Sequence, residues 1–193
     1  REILRRLDSQ PASISPKYFY DRLGSALFAA ICETPEYYPT RTEAAILPVA
    51  AAAIRERLGG GLTLVDLGAG DCRKADAILP VLGCARYVAI DISIAFVRDA
   101  VALIGPRHPG VAMAALGRDL SRDWSLSEED APGQRLMFYP GSSIGNFTPE
   151  LAVAFLRRAR ANAGDDGKLL VGVDLVKDRA ILEAAYDDRL GVT

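Results

Sequence analysis

The 193-residue chain has one histidine, His108, and it lies in an Arg-His-Pro-Gly turn. A Ser-His-Asp triad would have to take its base from that turn, and a zinc site has no second imidazole to draw on. No metal is expected. Cysteine is scarce too. Cys32, Cys72 and Cys84 are odd in number and form no CxxC pair, which argues against a disulfide framework and for a reducing, cytoplasmic compartment. No apolar run approaches a membrane span and no signal-peptide pattern is present, so no membrane partner is expected. Charge of one sign is not in excess: 23 Lys+Arg stand against 25 Asp+Glu, a formal net charge of −2. A nucleic-acid binder usually carries a basic face, so no nucleic-acid partner is expected. There is no internal repeat and no low-complexity segment. Nothing in the composition specifies an oligomeric state. What remains, half apolar and a quarter charged, is an ordinary globular chain of about one domain.

The first 61 residues read differently from the rest. Leu23, Leu27, Phe28 and Ile31 recur at helical spacing, and Pro35 ends that helix. An irregular, polar and aromatic stretch follows over 36–43. Thr40 or Thr42 can cap the next helix, which runs to about Leu58, where Pro48 fits only near the first turn or at a kink. From residue 62 strands and helices alternate. Strands are expected at 62–67, 87–92, 111–116, 135–139 and 168–175, and helices at 73–82, 94–104, 149–162 and 178–190. Thr148 and Pro149 supply a cap and first position for the third of these helices. Short apolar strands separated by helices imply an α/β, doubly wound, mostly parallel sheet covered on both faces. Such sheets bind ligands at the carboxyl ends of their strands.

Gly68 and Gly70 follow the first strand and would let backbone approach a ligand. The third position after Gly70 is Arg73, so the GxGxxG pyrophosphate pattern is absent, which counts against a dinucleotide. Asp91 ends the second strand, 23 residues past Gly68, where an acid can accept both hydroxyls of a ribose. The alternative is a strand-end acid that caps the next helix. Glycine loop and acid together suggest a nucleoside without a phosphate requirement, and S-adenosylmethionine meets that description. Its carboxylate calls for a cation, for which Lys74 and Arg73 are candidates, unless Lys74 lies on a solvated helix face. Asp119, after the third strand, is placed to bond an adenine amino group, or is a surface acid. After the fourth strand comes a loop with Gly141, Gly145 and Asn146. The Asn146 carbonyl can accept from an amine without neutralising a charge, or can merely stabilise the turn.

These residues carry a resemblance to a known family. Residues 17–21 (KYFYD) with Gly24-Ser25, 35–43 (PEYYPTRTE), 66–70 (DLGAG), 141–146 (GSSIGN), 174–178 (DLVKD) and 185–188 (AYDD) make the chain similar, over nearly its whole length, to the S-adenosylmethionine-dependent L-histidine Nα-methyltransferases of ergothioneine biosynthesis. The PEYYPTRTE and GSSIGN segments are far more specific than the glycine loop. The resemblance implies a class I methyltransferase-like (Rossmann-like) fold, with 1–61 as a helical, substrate-facing segment and 62–193 as the cofactor-binding α/β domain. It implies that Gly68, Gly70, Lys74, Asp91, Asp119, Leu120 and Gly141 contact S-adenosylmethionine. Tyr20, Tyr37, Asn146 and Tyr186 would contact a small amino-acid substrate, with Asn146 and Tyr20 orienting its amine. The implied reaction converts L-histidine stepwise to its trimethylammonium betaine, hercynine.

Family members continue past the position of Thr193 with further strands and side-chain-gripping residues, so the C-terminal part of the fold is expected to be missing here. Transfer of a methyl needs a neutral amine held in line with the sulfonium, whose like charge lowers the amine pKa, so no strong base is required. Tyrosine faces suit a quaternary ammonium product. The competing expectations are a same-family enzyme for another amino acid such as a substituted tryptophan, and a truncated, non-catalytic cofactor-binding module. A dinucleotide dehydrogenase is a third.

Overall fold

The computed structural model describes residues 2–8, 10–19 and 22–193. Its centre is a five-stranded parallel sheet of β1 (Thr63–Leu67), β2 (Arg86–Asp91), β3 (Ala112–Gly117), β4 (Arg135–Tyr139) and β5 (Lys168–Val171), in the spatial order β3-β2-β1-β4-β5. The chain winds outward from β1 on one side, then returns to place β4 on its other side. The switch point therefore lies between β1 and β4, where the loops leaving the two strands diverge.

Side-chain alternation along the strands builds two cores. Leu64, Tyr87, Ala89, Leu136 and Phe138 face one way. They meet Leu47 and Ala51 of α3 (Tyr38–Leu58), Ala75, Ile78, Leu79 and Leu82 of α4 (Arg73–Leu82), and Val97, Ala100 and Ile104 of α5 (Ile94–Ile104). Val65, Leu67, Val88, Ile90, Met137 and Tyr139 face the other way, against Phe155, Ala159 and Ala163 of α6 (Pro149–Ala163) and against Trp124, Leu126 and Ala131. The first two helices are α1 (Glu2–Leu7) and α2 (Arg22–Cys32), and α7 (Arg179–Tyr186) follows β5.

The expected alternation of strands and helices is present, with four local differences. Helix α3 is not capped by Thr40 or Thr42. It starts at Tyr38 because Pro39, in its first turn, has φ already set for a helix, while the Thr40 hydroxyl donates to the Cys32 sulfur at 3.2 Å. Pro48 lies within α3 rather than at its start, and the helix continues although Ala44 cannot receive an N–H from it. Strand β5 ends at Val171 rather than at 175. Gly172 makes one more ladder bond, to the Tyr139 carbonyl at 3.0 Å, and then runs against the Glu43 carboxylate and the Pro140–Gly141 backbone. Helix α7 ends at Tyr186 rather than at 190, because the buried Asp188 carboxylate accepts from the amides of Leu190, Val192 and Thr193 and folds the chain into a turn.

Candidate functional site

The glycine loop after β1 turns back onto β2. The amides of Gly68 and Ala69 both donate to the Ile90 carbonyl, at 2.8 and 3.0 Å. Gly68 and Gly70 hold φ of +78° and +54°, and the space where a Cβ would stand is open at both. Asp91 is half-buried. One of its carboxylate oxygens accepts from the Gly70 amide at 3.1 Å and the other from the Ser93 amide at 2.9 Å. Asp91 thus orders the turn into α5, as the strand-end alternative expects, and also ties down the glycine loop. Each oxygen retains a lone pair directed elsewhere.

Asp119 and Leu120 follow β3, next to Asp91, since the Arg118 amide donates to the Asp91 carbonyl at 3.0 Å. Asp119 is half-buried. Its Oδ1 accepts from the Ser121 amide and hydroxyl, at 3.0 and 2.5 Å, and its Oδ2 pairs with Arg122 at 3.2 Å. Leu120 rests against the α6-side core.

Lys74 does not lie on a solvated face. Its ammonium is 2.6 Å from Oε2 of Glu43, whose side chain is only 11% exposed. The other oxygen, Oε1, accepts from the Gly141 amide at 2.6 Å. Glu43 therefore joins α3, α4 and the loop after β4. Gly141 has φ of +79°, a conformation that favours glycine, and a Cβ there would stand 2.7 Å from the Lys74 nitrogen, at the far end of that flexible side chain. Past Gly141 the chain makes a 3₁₀ turn, Ser143–Asn146, entered through Ser142 at φ of +53° and tied by the Ser143 hydroxyl to the Pro140 carbonyl at 3.1 Å. Asn146 ends that turn with its side chain exposed.

The aromatic side is built at the start of α3. Tyr37 is buried, with Phe28 and Tyr186 edge-on to it at ring-centroid distances of 6.0 and 5.8 Å. Tyr186 is 58% exposed and presents its ring outward from this contact. Next to it Tyr38 donates to Asp174 and accepts from Lys177 at 2.8 Å, and Lys177 also pairs with Asp174 and stands 4.1 Å over the Tyr38 ring. Desolvation acts against it, but the bonds from Lys177 and Tyr38 hold the Asp174 carboxyl below its ordinary value. Tyr20 lies outside the described residues.

The structure thus joins Gly70 and Asp91 directly, with Gly68 on the adjoining Ile90 carbonyl, Lys74 and Gly141 through Glu43, and Tyr37 and Tyr186 by ring contact. Asn146 shares its loop with Gly141. Three features fall within the segments quoted for the resemblance, residues 35–43, 66–70 and 174–178, with no role assigned to them there. Glu43 is the first; its signal is that it shares one buried stripe with Leu47 and Ala51, spaced i, i+4 and i+8, where a carboxylate is out of place. The Tyr38–Asp174–Lys177 cluster is the second. The third is Asp66, under the glycine loop, which accepts from the Tyr87 hydroxyl at 2.9 Å while its Oδ1 is buried without a partner. Burial pushes its pKa up to about 7, against the pull of the Tyr87 bond and of Lys74. The thiols are free, and burial pushes Cys72 up to about 12 and Cys84 up to about 11, far from the range of a reactive nucleophile. His108 bonds Asp76 at 2.7 Å beside Arg107, a local tie between α4 and the chain after α5. Among the described residues no helix is long and apolar enough to cross a membrane, and no group of His, Cys, Asp and Glu is arranged to hold a metal ion.

Comparison with known proteins bears on the fold and the family. Among solved structures, the magnesium protoporphyrin IX methyltransferase of Synechocystis, crystallised with bound S-adenosylmethionine, superimposes with a TM-score of 0.60 at 15% identity, over 92% of this chain and 86% of that one. The mitomycin 7-O-methyltransferase gives 0.51 at 19% identity, over 81% and 46%. These likenesses establish a class I methyltransferase fold. The histidine N-alpha-methyltransferase of Mycolicibacterium smegmatis is 40% identical over the whole chain, and ergothioneine biosynthesis protein 1 of Neurospora crassa is 31% identical over 95% of it. The chain spans 60% of the length of the first relative and 22% of the second. The sequence pattern of the family described as "Histidine-specific methyltransferase, SAM-dependent" matches residues 1–193, and the chain belongs to that family.

Proposed function

We propose that the protein methylates the α-amino group of L-histidine with S-adenosylmethionine, three times in succession to hercynine, in ergothioneine biosynthesis. The observation that carries this reading is the pairing, at one switch point, of a glycine loop closed by a half-buried acid with a loop bearing an exposed amide.

The residues present fit the cofactor. Open space above Gly68 and Gly70 admits a ligand against the backbone, and the free lone pairs of Asp91 suit two neighbouring hydroxyls. Lys74 offers a cation for a carboxylate, Gly141 borders it, and Asp119 with Leu120 lies beside Asp91 for an amino-bearing ring. Bound S-adenosylmethionine supplies a methyl group on a positively charged sulfur. The chain's own task is orientation. Asn146 and Tyr20 hold the amine so that its lone pair points along one line, which contributes several kcal/mol in favourable cases, up to about 7–11. Tyr37 and Tyr186 border the substrate and stabilise a growing ammonium with their ring faces. Residues 1–61 form the substrate-facing segment and 62–193 the cofactor-binding domain.

We expect Asp91→Ala to weaken S-adenosylmethionine binding at least tenfold by calorimetry. Asn146→Ala, in the full-length protein, should cut turnover strongly while leaving that binding intact. Unchanged affinity in the first, or unchanged turnover in the second, removes the role assigned. The 4-dimethylallyltryptophan N-methyltransferase of Claviceps purpurea, 26% identical over 96% of the chain, favours a second reading in which another amino acid is the acceptor. Mass spectrometry of products from a panel of amino acids separates the two.

A further inference from the structure

Glu43 belongs to none of the roles above, yet it occupies the junction between them. Its two carboxylate oxygens are used separately: Oε2 holds the Lys74 ammonium and Oε1 holds the Gly141 amide, each at 2.6 Å. The bond to Gly141 spans 98 residues of chain. The surroundings are shaped to this side chain. A Cβ at Gly172 would stand 2.3 Å from Oε1, and one at Gly141 would stand 2.7 Å from the Lys74 nitrogen. Both positions are glycine; the carboxylate fills the space at Gly172 and the Lys74 ammonium fills that at Gly141. The anion is nearly buried, but it carries a full counter-charge and a backbone donor, the condition under which burial of a charge is tolerated.

We propose that Glu43 is the positioning residue that fixes the distance between the two halves of the site, holding the loop that bears Asn146 in register with the cation beside the glycine loop. The inference rests on the methyltransferase reading given above. Glu43 has both carboxylate oxygens engaged by protein partners. It acts through Gly141, the first residue of the amide-bearing loop, and through Lys74. A carboxylate with this reach is needed: aspartate, one methylene shorter, cannot serve both partners from α3, while glutamine keeps an acceptor for the Gly141 amide and loses the ion pair.

Amide NMR spectra of Glu43→Ala, Glu43→Gln and wild type test the placement itself. Glu43→Ala should shift the resonances of Gly141 and of 142–146 while those of Gly68 and Gly70 stay in place, and Glu43→Gln should shift them less. In steady-state assays of the full-length protein at saturating S-adenosylmethionine, Glu43→Ala should lower kcat at least tenfold, and glutamine should restore part of the loss. Gly172→Ala, which displaces the carboxylate without removing it, should lower kcat in the same way. Unmoved 142–146 resonances in Glu43→Ala overturn the inference, and so does activity lost only in proportion to the unfolded fraction. A wild-type protein that binds the cofactor yet methylates no amino acid overturns the proposed function instead, and the spectra still decide the role of Glu43.

Discussion

Asp66 is buried in β1 with one oxygen on the Tyr87 hydroxyl and the other without a partner. An ordinary aspartate titrates near about 4, whereas burial raises this one to about 7. A carboxyl whose pKa is higher in the folded chain binds its proton more tightly there, so protonation favours folding. That contribution is complete at low pH and is lost as pH rises from about 4 to about 7. We expect denaturant stability of the ligand-free protein to carry a falling component across this window, and Asp66→Asn, which cannot titrate, to remove it. Equal pH slopes in the two proteins would contradict the assignment. At this scale the sequence was partly legible. That Gly70 and Asp91 would be neighbours was legible, because spacing along adjoining strands sets them side by side, and Gly70 donates to Asp91. The role of Glu43 was not, although the residue ends the PEYYPTRTE segment, because its partners come from α4 and from a loop far along the chain.

Element boundaries follow local chemistry where the capping groups are near in sequence. Thr148 accepts from the Leu151 amide at 3.4 Å, with Pro149 at the first helical position, and α6 starts where those residues require. Thr148→Ala should cost about 1 kcal/mol, within the range of about 0.5–2 that such caps contribute, read as a lowered denaturation midpoint with an unchanged m-value. A change below a few tenths would mean that the packing of Phe155 alone fixes the helix end. The ends of β5 and α7 were not legible. β5 stops because Gly172 meets the Glu43 carboxylate, and α7 stops because Asp188 gathers three later amides. The first is a contact across the fold. The second depends on burial of a carboxylate whose neighbours in sequence look like ordinary surface residues.

Across the whole molecule, burial grades from the centre of the sheet outward. β1 and β4 are buried at every position and β2 at its four central ones, while β3 has exposed ends and β5 is exposed at its first two positions and half-buried at its last two. Local openings involve the least buried ladders first. Amide hydrogen exchange should therefore be slowest in β1, β2 and β4 and faster in β3 and β5, and a β5 as slow as β1 would contradict this ordering. The sheet itself was legible from the start, since strands buried on both faces read as unbroken apolar runs.

Because all five strands run the same way, the loops that follow β1, β2, β3, β4 and β5 all leave from one pole of the molecule. The opposite pole consists of the short returns through Gly83, Gly110, Gly133 and Gly164 that lead into β2, β3, β4 and β5. A fluorophore, an affinity tag or an inserted peptide placed in one of those returns sits a full strand length away from the chemistry, which makes that rim the natural handle for anyone wishing to tether or image the protein.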